Sequence, residues 1–225
     1  MKTVSISEMR EIENLAMTKY GINEDLLMEH AGRSMAEDIL NNFLPDDRES
    51  KDDKKVIVVC GYGGNGGDGL VCARYLIERG VQVYCYIIKP AKEYKVQVMK
   101  NLKRAFFSHL SVKEIESAAD LEELKNSANN AFLIVDCLLG IGFEGEPRGF
   151  FKDAINIINA AHKTVLSADG PSGLNADNGK AGETVIKANT TYSFGFIKNG
   201  FLKEEARPYV GEIKVLPIGL PAQLL

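Results

Sequence analysis

Polar side chains follow apolar segments at two places in the sequence, and their types suit chemistry on a bound ligand. Asp136 lies in "FLIVDCLLG", Asp169 ends "TVLSAD", and Ser172 follows in "GPSG". If these apolar segments are parallel strands, their carboxyl ends meet at one edge of the sheet, which is where open α/β sheets bind ligands. Carboxyl and hydroxyl groups gathered at such an edge are candidates for proton transfer or polar binding.

A glycine-rich loop follows the first apolar strand of the predicted sheet. The segment "VCGYGGNGGDGLVCARYL", residues 59–76, matches the pattern GxGxxG through Gly61, Gly63 and Gly66. Glycines let backbone N–H groups approach a phosphate closely, and the start of a helix adds partial positive charge. The loop therefore predicts a phosphate cradle, with a plain strand-to-helix turn capped by Asp68 as the alternative.

The end of the second strand argues against a nicotinamide-dependent dehydrogenase. Such enzymes place an acidic residue there to bind ribose, whereas "CYIIKP" has Lys89 after its apolar residues. A Walker A loop is excluded as well, because no Gly-Lys-Ser/Thr follows the glycines. An NAD-dependent oxidoreductase therefore stays only as an alternative.

Composition is typical of one globular α/β domain. The chain has 225 residues, 45% of them hydrophobic and 26% charged, with a formal net charge of -4, so we expect a single domain over residues 1–225. The sequence holds neither a basic cluster nor an apolar run long enough to span a bilayer, and we expect neither nucleic-acid nor membrane binding. The four cysteines lie in apolar segments without a CxxC pair, which predicts buried thiols in a reducing, cytoplasmic setting.

Alternating patterns predict the elements that position these residues. Two helices come first, and the earlier one begins at the capping-box pair Ser5 and Glu8 and ends at Gly21. Apolar strands then alternate with helices, one from about Gly69 and the next from about Lys95, with no further element before "FLIVDCLLG". This alternation predicts a mostly parallel sheet with helices on both faces.

Four segments resemble the motifs of one family in the same order along the chain. "GYGGNGGDGLVCARYL" is similar to GxGNNGGDGLVxARxL, and "LMEHAG" is similar to LMENAG. "VDCLLGIGF" resembles VDALFGTGL, and "SADGPSGLNADNG" resembles SxDxPSGLxADTG. These are motifs of the NAD(P)H-hydrate epimerases, the YjeF N-terminal domain family, and the resemblance spans nearly the whole chain.

The resemblance implies a fold, a reaction and partners. The fold is a Rossmann-like three-layer α/β/α sandwich, and the reaction interconverts the R and S forms of NADH and NADPH that are hydrated at C6 of the nicotinamide ring. The resemblance also implies a homodimer, a bound potassium ion (K⁺) and an S-specific dehydratase that uses the product. Because the sequence ends at Leu225, after the last strand, we expect a standalone epimerase with the dehydratase as a separate protein.

Matched residue by residue, the resemblance implies an ion site and a reacting site. The potassium ligands fall on Asn65, Asp136 and Ser172. Asp169 is the candidate acid or base, with a cap of the "DGPSG" turn as its alternative role. Lys198, in "FGFIKNG", is a candidate to bind phosphate or to stabilise negative charge, with a solvated surface lysine as the alternative. The substrate contacts fall on Gly64, Asn65, Gly66, Gly67, Asp68, Gly140, Ile141, Gly142, Phe143, Glu144, Gly145, Glu146 and Asp169.

Three positions depart from the family pattern. Gly64 and His30 stand where the family has asparagine, and Ile141 stands where it commonly has threonine. Loss of an amide and a hydroxyl predicts weaker substrate contacts, so a binding or scaffold protein with weakened catalysis is the alternative function. Arg148, in "EGEPRG", is a hypothetical phosphate-binding cation.

Overall fold

A seven-stranded parallel sheet forms the centre of the structure, a computed structural model that describes residues 3–44 and 54–225. The sheet has the strand order β4-β3-β2-β5-β6-β7-β9. Its strands are β2 (Val56–Cys60), β3 (Val83–Ile88), β4 (Val112–Ile115), β5 (Leu133–Cys137), β6 (Thr164–Ala168), β7 (Thr190–Phe194) and β9 (Glu212–Leu216). The order reverses between β2 and β5, so the carboxyl ends of these two strands flank the crevice in which such sheets bind ligands.

Helices cover both faces of this sheet. They are α1 (Ile6–Tyr20), α2 (Glu24–Asn42), α3 (Gly64–Glu78), α4 (Val96–Phe107), α5 (Ala118–Asn129), α6 (Phe150–Ala160) and the short α7 (Arg207–Val210). The layer of α2, α3 and α4 packs on one face, and α5 and α6 pack on the other. The predicted α/β/α sandwich with two N-terminal helices is confirmed. Across the described ranges, none of the helices has the length and apolarity needed to cross a membrane.

Alternate residues of the central strand β2 pack into two separate hydrophobic cores. Val56, Val58 and Cys60 of β2 pack with the layer of α2, α3 and α4, whereas Ile57 and Val59 pack with α5 and α6. Every residue of this strand is buried. Two-sided burial explains why the strand has a continuous apolar sequence rather than an alternating one.

The cysteines contribute to these cores as free thiols. Cys60, Cys72, Cys85 and Cys137 are all buried and unpaired by disulfides. Burial raises the pKa of Cys60, Cys72 and Cys137, which keeps these thiols protonated and unreactive. The predicted role as small buried hydrophobic residues is confirmed.

The N-terminal helix is fixed at both ends. Ser5 Oγ accepts a hydrogen bond from Glu8 N at 3.2 Å, and the Glu8 carboxylate accepts one from Ser5 N at 2.7 Å, so the predicted capping box forms. Gly21, with a φ of 70°, ends the helix in a left-handed conformation. Before the helix, β1 (Thr3–Val4) pairs in parallel with β8 (Ile197–Lys198).

Two predicted features of the chain were wrong. α3 begins at Gly64 rather than near Gly69, because the glycines allow tight packing already in its first turns. Strand β4 and helix α5 occupy a stretch for which the sequence predicted no element. That stretch, "SVKEIESAADLEELKNSANN", is polar because β4 is an edge strand and α5 buries only Leu124 and Ala128.

Candidate functional site

A cleft opens at the carboxyl edge of the sheet. Its volume is about 930 Å³, near the upper end of the range of about 300–1,000 Å³ that is usual for small-molecule sites. Most of its lining comes from the segments after β2, β5 and β6 and from α1 and α2. Asn65, Asp68 and Asp169 all line it. The structure therefore brings together predicted site residues that are about a hundred positions apart in the sequence.

Asp136 and Ser172 form a hydrogen-bonded pair at the same edge. Ser172 Oγ donates to Asp136 Oδ1 at 2.6 Å, and Ser172 N donates to Asp136 Oδ2 at 2.9 Å. Ser167 Oγ also donates to Asp136 Oδ2, at 2.8 Å. Burial raises the pKa of Asp136, and these hydrogen bonds oppose the rise. Because Leu139 N donates to Ser172 Oγ at 2.8 Å, the pair also fixes the start of the loop after β5.

Asn65 is a buried amide without a hydrogen-bond partner in residues 3–44 and 54–225. Both its Oδ1 and its Nδ2 are unsatisfied, and an unpaired buried polar group costs roughly 1–3 kcal/mol. A Cβ added at Gly140 would lie 3.2 Å from Asn65 Cβ, a tight contact, so the glycine leaves room beside this side chain. An orphaned amide in the lining of a cleft indicates a position where a ligand supplies the missing partner.

Asp169 and Lys198 form an ion pair behind the cleft surface. Lys198 Nζ donates to Asp169 Oδ1 at 2.5 Å and to Phe194 O at 2.9 Å. Phe194 N donates to the same carboxylate oxygen at 3.2 Å. Asp169 has a φ of 51°, a conformation that is rare for a residue other than glycine and is often found at functional sites. The carboxylate therefore receives its hydrogen bonds from β7 and β8 rather than from amides of its own turn.

The position of Lys198 excludes one of the roles considered for it, that of a solvated surface lysine. Its side chain is 0% exposed. It also does not line the cleft, which leaves direct contact with a substrate phosphate without support. Lys198 acts on the cleft through Asp169.

Three carboxyl groups of the cleft hold protons more tightly than usual. Burial raises the pKa of Asp169, although the Lys198 ammonium opposes the rise. Burial, with the negative charges of Asp169 and Glu13, raises the pKa of Asp68 well above its ordinary value. Burial and the charge of Asp169 raise the pKa of Glu13 from 4.5 to about 7. Carboxyl groups tuned in this way are suited to proton transfer near neutral pH.

The glycines at the start of α3 have two different roles. A Cβ at Gly66 would lie 1.7 Å from the carbonyl oxygen of Gly61, and a Cβ at Gly67 would collide with a side chain of α2. Neither Gly66 nor Gly67 lines the cleft, and the close contacts at both positions give them a packing role. Gly63 and Gly64 do line it, and a Cβ at either would meet nothing within 4 Å.

The loop after β5 contributes most, but not all, of its predicted contacts. The residues that line the cleft are Gly140, Ile141, Gly142, Phe143 and Glu146, whereas Glu144 and Gly145 do not. The Glu146 carboxylate accepts hydrogen bonds from Glu183 N at 3.2 and 3.3 Å, which anchors the far end of the loop. Arg148 also lines the cleft, whereas His30 is exposed and lies outside the lining.

The sequence did not indicate the contribution of α1. Arg10, Glu13 and Met17 line the cleft, and their spacing of three and four residues places them on one face of the helix. That spacing was visible in the sequence, but the position of α1 was not, because it depends on the pairing of β1 with β8. Glu24 of α2 and Lys95 add further charges to the lining.

The fold and the site together define a class of protein. The sheet is parallel, and a glycine-rich segment follows β2 at the reversal of strand order, beside a cleft that contains carboxyl groups. These features are typical of a Rossmann-like domain with a nucleotide-binding site. The family model described as "YjeF-related protein N-terminus" matches residues 24–200, and α1 precedes the matched residues. The chain belongs to this family.

Relatives and solved structures agree with this assignment. The chain is 58% identical over 226 residues to "NAD(P)H-hydrate epimerase" of Elusimicrobium minutum, an alignment that covers 100% of this chain and 99% of the relative. It is 32% identical over 225 residues to "Bifunctional NAD(P)H-hydrate repair enzyme Nnr" of Moorella thermoacetica, covering 100% of this chain and 42% of the relative. The crystal structure of yeast ynu0 superimposes with a TM-score of 0.77 and 29% identity, covering 89% of this chain and 83% of the yeast chain.

Proposed function

We propose that this chain is an NAD(P)H-hydrate epimerase, an isomerase that interconverts the R and S forms of hydrated NADH and NADPH and so contributes to cofactor repair. The observation that carries this function is the 58% identity, over the whole chain, to a relative that bears this name. The cleft supports it, because it combines an open glycine backbone with carboxyl groups of raised pKa.

The cleft is suited to a dinucleotide. Gly63 caps the N-terminus of α3, and the open backbone of Gly63 and Gly64 can approach a pyrophosphate closely. Arg10, Lys95 and Arg148 also line the cleft and can pair with phosphate oxygens. Gly64 lacks the side-chain amide that the family pattern has at this position. Its backbone N–H is still present and can donate to a phosphate.

Asp169 is the proton-transfer group of this proposal. Epimerisation requires C6 to lose its hydroxyl group and regain it on the opposite face, and each event moves a proton to or from oxygen. Asp169 lines the cleft, so it can reach the substrate. Lys198 is a positioning residue, because its buried ammonium holds the carboxylate by a direct hydrogen bond.

We also propose a potassium site formed by Asn65, Asp136 and Ser172. Amide, carboxylate and hydroxyl oxygens are the donors that a hard cation prefers, and the unsatisfied Asn65 Oδ1 fits this role. Asp136 and Ser172 are already held together by hydrogen bonds, so two of the three ligands are preorganised. When bound, the ion supplies positive charge beside the glycine loop for the substrate phosphates.

We further propose a homodimer that works with a separate S-specific dehydratase in the cytoplasm. Apolar side chains of α4 support a contact surface, since Val96, Met99, Phe106 and Phe107 are each more than half exposed. The four free buried thiols support a reducing compartment.

The proposed activity is tested by following the two hydrates directly. Purified R-hydrate of NADPH is presented to the protein in potassium buffer, and the ratio of R to S forms is followed by chromatography. We expect rapid approach to equilibrium, with Asp169→Asn slower by a factor of about 10² to 10⁴, the usual contribution of a positioned acid or base. The matched control, Asp153→Asn, changes an exposed carboxyl on α6 outside the cleft and leaves the rate unchanged.

The same assay separates the alternative function from the proposed one. If the wild-type protein binds the hydrate but the ratio moves only at its spontaneous rate, the chain is a binding protein and not an epimerase.

A further inference from the structure

A carboxyl group on α1 lines the substrate cleft without a fixed partner. Glu13 is half-buried and belongs to the lining. Within residues 3–44 and 54–225 it has neither a hydrogen bond nor a salt bridge, and its interactions are with the charges around it. By contrast, the Asp169 carboxylate is held by Lys198 and by Phe194 N. Glu13 is therefore the freer of the two carboxyl groups.

Inversion at C6 makes a geometric demand that one fixed carboxyl group does not meet. The hydroxyl group leaves from one face of the nicotinamide ring and returns on the other. A proton must reach the departing oxygen on the first face, and another must leave the attacking water on the second face. Because Lys198 and Phe194 hold Asp169 in one position, its carboxyl group can exchange a proton with oxygen on only one face of a bound ring.

On the basis of the proposed function, we propose that Glu13 is the second proton-transfer residue, acting on the face of the nicotinamide ring opposite to Asp169. The two carboxyl groups come from different elements of the lining. Asp169 follows β6 at the sheet edge, whereas Glu13 lies on α1. The pairing of β1 with β8, and the hydrogen bond from Ile6 N to Asp177 Oδ1 at 2.7 Å, hold α1 at that edge.

The reaction balances with these two groups and no other reagent. One carboxylic acid gives its proton to the C6 hydroxyl group, the C6–O bond breaks with its electron pair, and water leaves. The lone pair of the ring nitrogen N1 forms the N1=C6 double bond of an iminium ion. Water attacks C6 from the opposite face, the π electrons return to N1, and the excess proton goes to the other carboxylate. Turnover from R to S leaves the first group ionised and the second protonated, which is the state that starts the reaction from S to R. Proton exchange with water restores the first state for another R-hydrate.

The charges around Glu13 agree with this role. Burial and the neighbouring carboxylates Asp169 and Glu24 raise the pKa of Glu13 to about 7, while Lys198 and Arg10 oppose the rise. Both protonation states are therefore present near neutral pH, as a group that alternates between acid and base requires. Asp68 fits the role less well, because burial raises its pKa well above the ordinary value and favours the protonated form over the carboxylate that must accept a proton.

The test uses Glu13→Gln, which keeps the shape of the side chain and removes the titratable carboxyl group. We expect the rate from R to S and the rate from S to R both to fall by a factor of about 10² or more, with the melting temperature and the affinity for the hydrate retained. The matched control is Glu11→Gln, an exposed carboxyl of the same helix outside the cleft, which leaves the rates unchanged. Rates for Glu13→Gln within about threefold of wild type overturn the role of Glu13.

A second variant distinguishes catalysis from structural support. Glu13→Asp keeps a carboxyl group with a lower intrinsic pKa, so we expect partial activity and a shift of the corresponding limb of the pH–rate profile to lower pH. A loss of rate in both variants without any shift of that limb means that Glu13 is structural, and overturns the inference. Failure of the wild-type protein to epimerise the hydrate is a different result, which refutes the proposed function itself.

Discussion

Lys198 lies beside Asp169, the proposed proton-transfer group, and does not line the cleft. Its ammonium is buried and donates to Asp169 and to the backbone of β7. Removing one partner of a buried ion pair leaves an uncompensated charge, which is costly. In the proposed mechanism Asp169 is the proton-transfer group, and Lys198 sets its position and charge. The sequence pointed to both residues but not to this division of roles.

Replacing Lys198 by methionine tests that division. Because the ammonium lowers the pKa of Asp169, its removal raises that pKa, and the carboxylate form appears only at higher pH. We therefore expect Lys198→Met to move the corresponding limb of the pH–rate profile to higher pH by about one unit or more, which is about tenfold or more in ionisation. Lys203→Met, at an exposed lysine, is the control. An unshifted profile in the folded Lys198→Met variant would show that the ion pair does not tune Asp169.

The unsatisfied side chain of Asn65 provides a test of the proposed potassium site. Both polar atoms of its side chain lack partners among the described residues, so an ion that binds only the folded state stabilises the fold. We expect a higher melting temperature in potassium chloride than in choline chloride at equal ionic strength. Asn65→Ala removes the difference, whereas Asn14→Ala, at an exposed amide of α1, retains it. Equal melting temperatures of the wild-type protein in the two salts would contradict the site.

At the scale of elements, α3 is the clearest difference between expectation and structure. The glycine run suggested a loop, and the structure makes it the first turns of a helix. The glycines are required by contacts that no local pattern encodes, such as the approach of Gly66 to the Gly61 carbonyl group and of Gly69 to the cysteines of β2 and β5. They allow α3 to start directly at the strand end and to present Gly63 and Gly64 to the cleft.

Alanine substitutions at two glycines in the first turn of α3 separate packing from binding. Gly66→Ala places a Cβ 1.7 Å from the Gly61 carbonyl oxygen, and we expect it to lower the free energy of unfolding by about 1–3 kcal/mol or more, as overpacking does. Gly64→Ala places its Cβ in open space within the helix, and we expect a gain of up to about 1 kcal/mol from helix propensity. Urea denaturation measures both. Equal stability of the two variants would contradict the packing role of Gly66.

The elements differ in how far the sequence predicts them. The capping box of Ser5 and Glu8 and the central strands β2 and β5 follow local rules, so they were predicted closely. Strand β4 and helix α5 bury few side chains, so their polar sequence lacks the apolar pattern from which elements are predicted. The contribution of Glu13 to the cleft depends on the contact between β1 and β8, which lie nearly 200 residues apart, and only the folded chain reveals it.

For the whole molecule, the order of strands turns scattered residues into one site. Asn65, Asp136 and Asp169 follow or end three different strands, and the parallel order places those strand ends along a single edge. The sequence predicted this convergence, because alternating strands and helices give parallel strands with right-handed crossovers. It could not predict which glycines face the cleft, or that Lys198 is buried, because both depend on packing between elements distant in sequence.

The most direct test of epimerase activity follows the two hydrates from both sides of their equilibrium. Pure R-hydrate and pure S-hydrate of NADPH are each mixed with the protein, and the ratio of the two forms and their total are recorded with time. An epimerase accelerates both approaches, brings them to the same final ratio, and leaves the total unchanged. A ratio that moves only at the spontaneous rate, or a total that falls faster than in the absence of protein, would contradict the account.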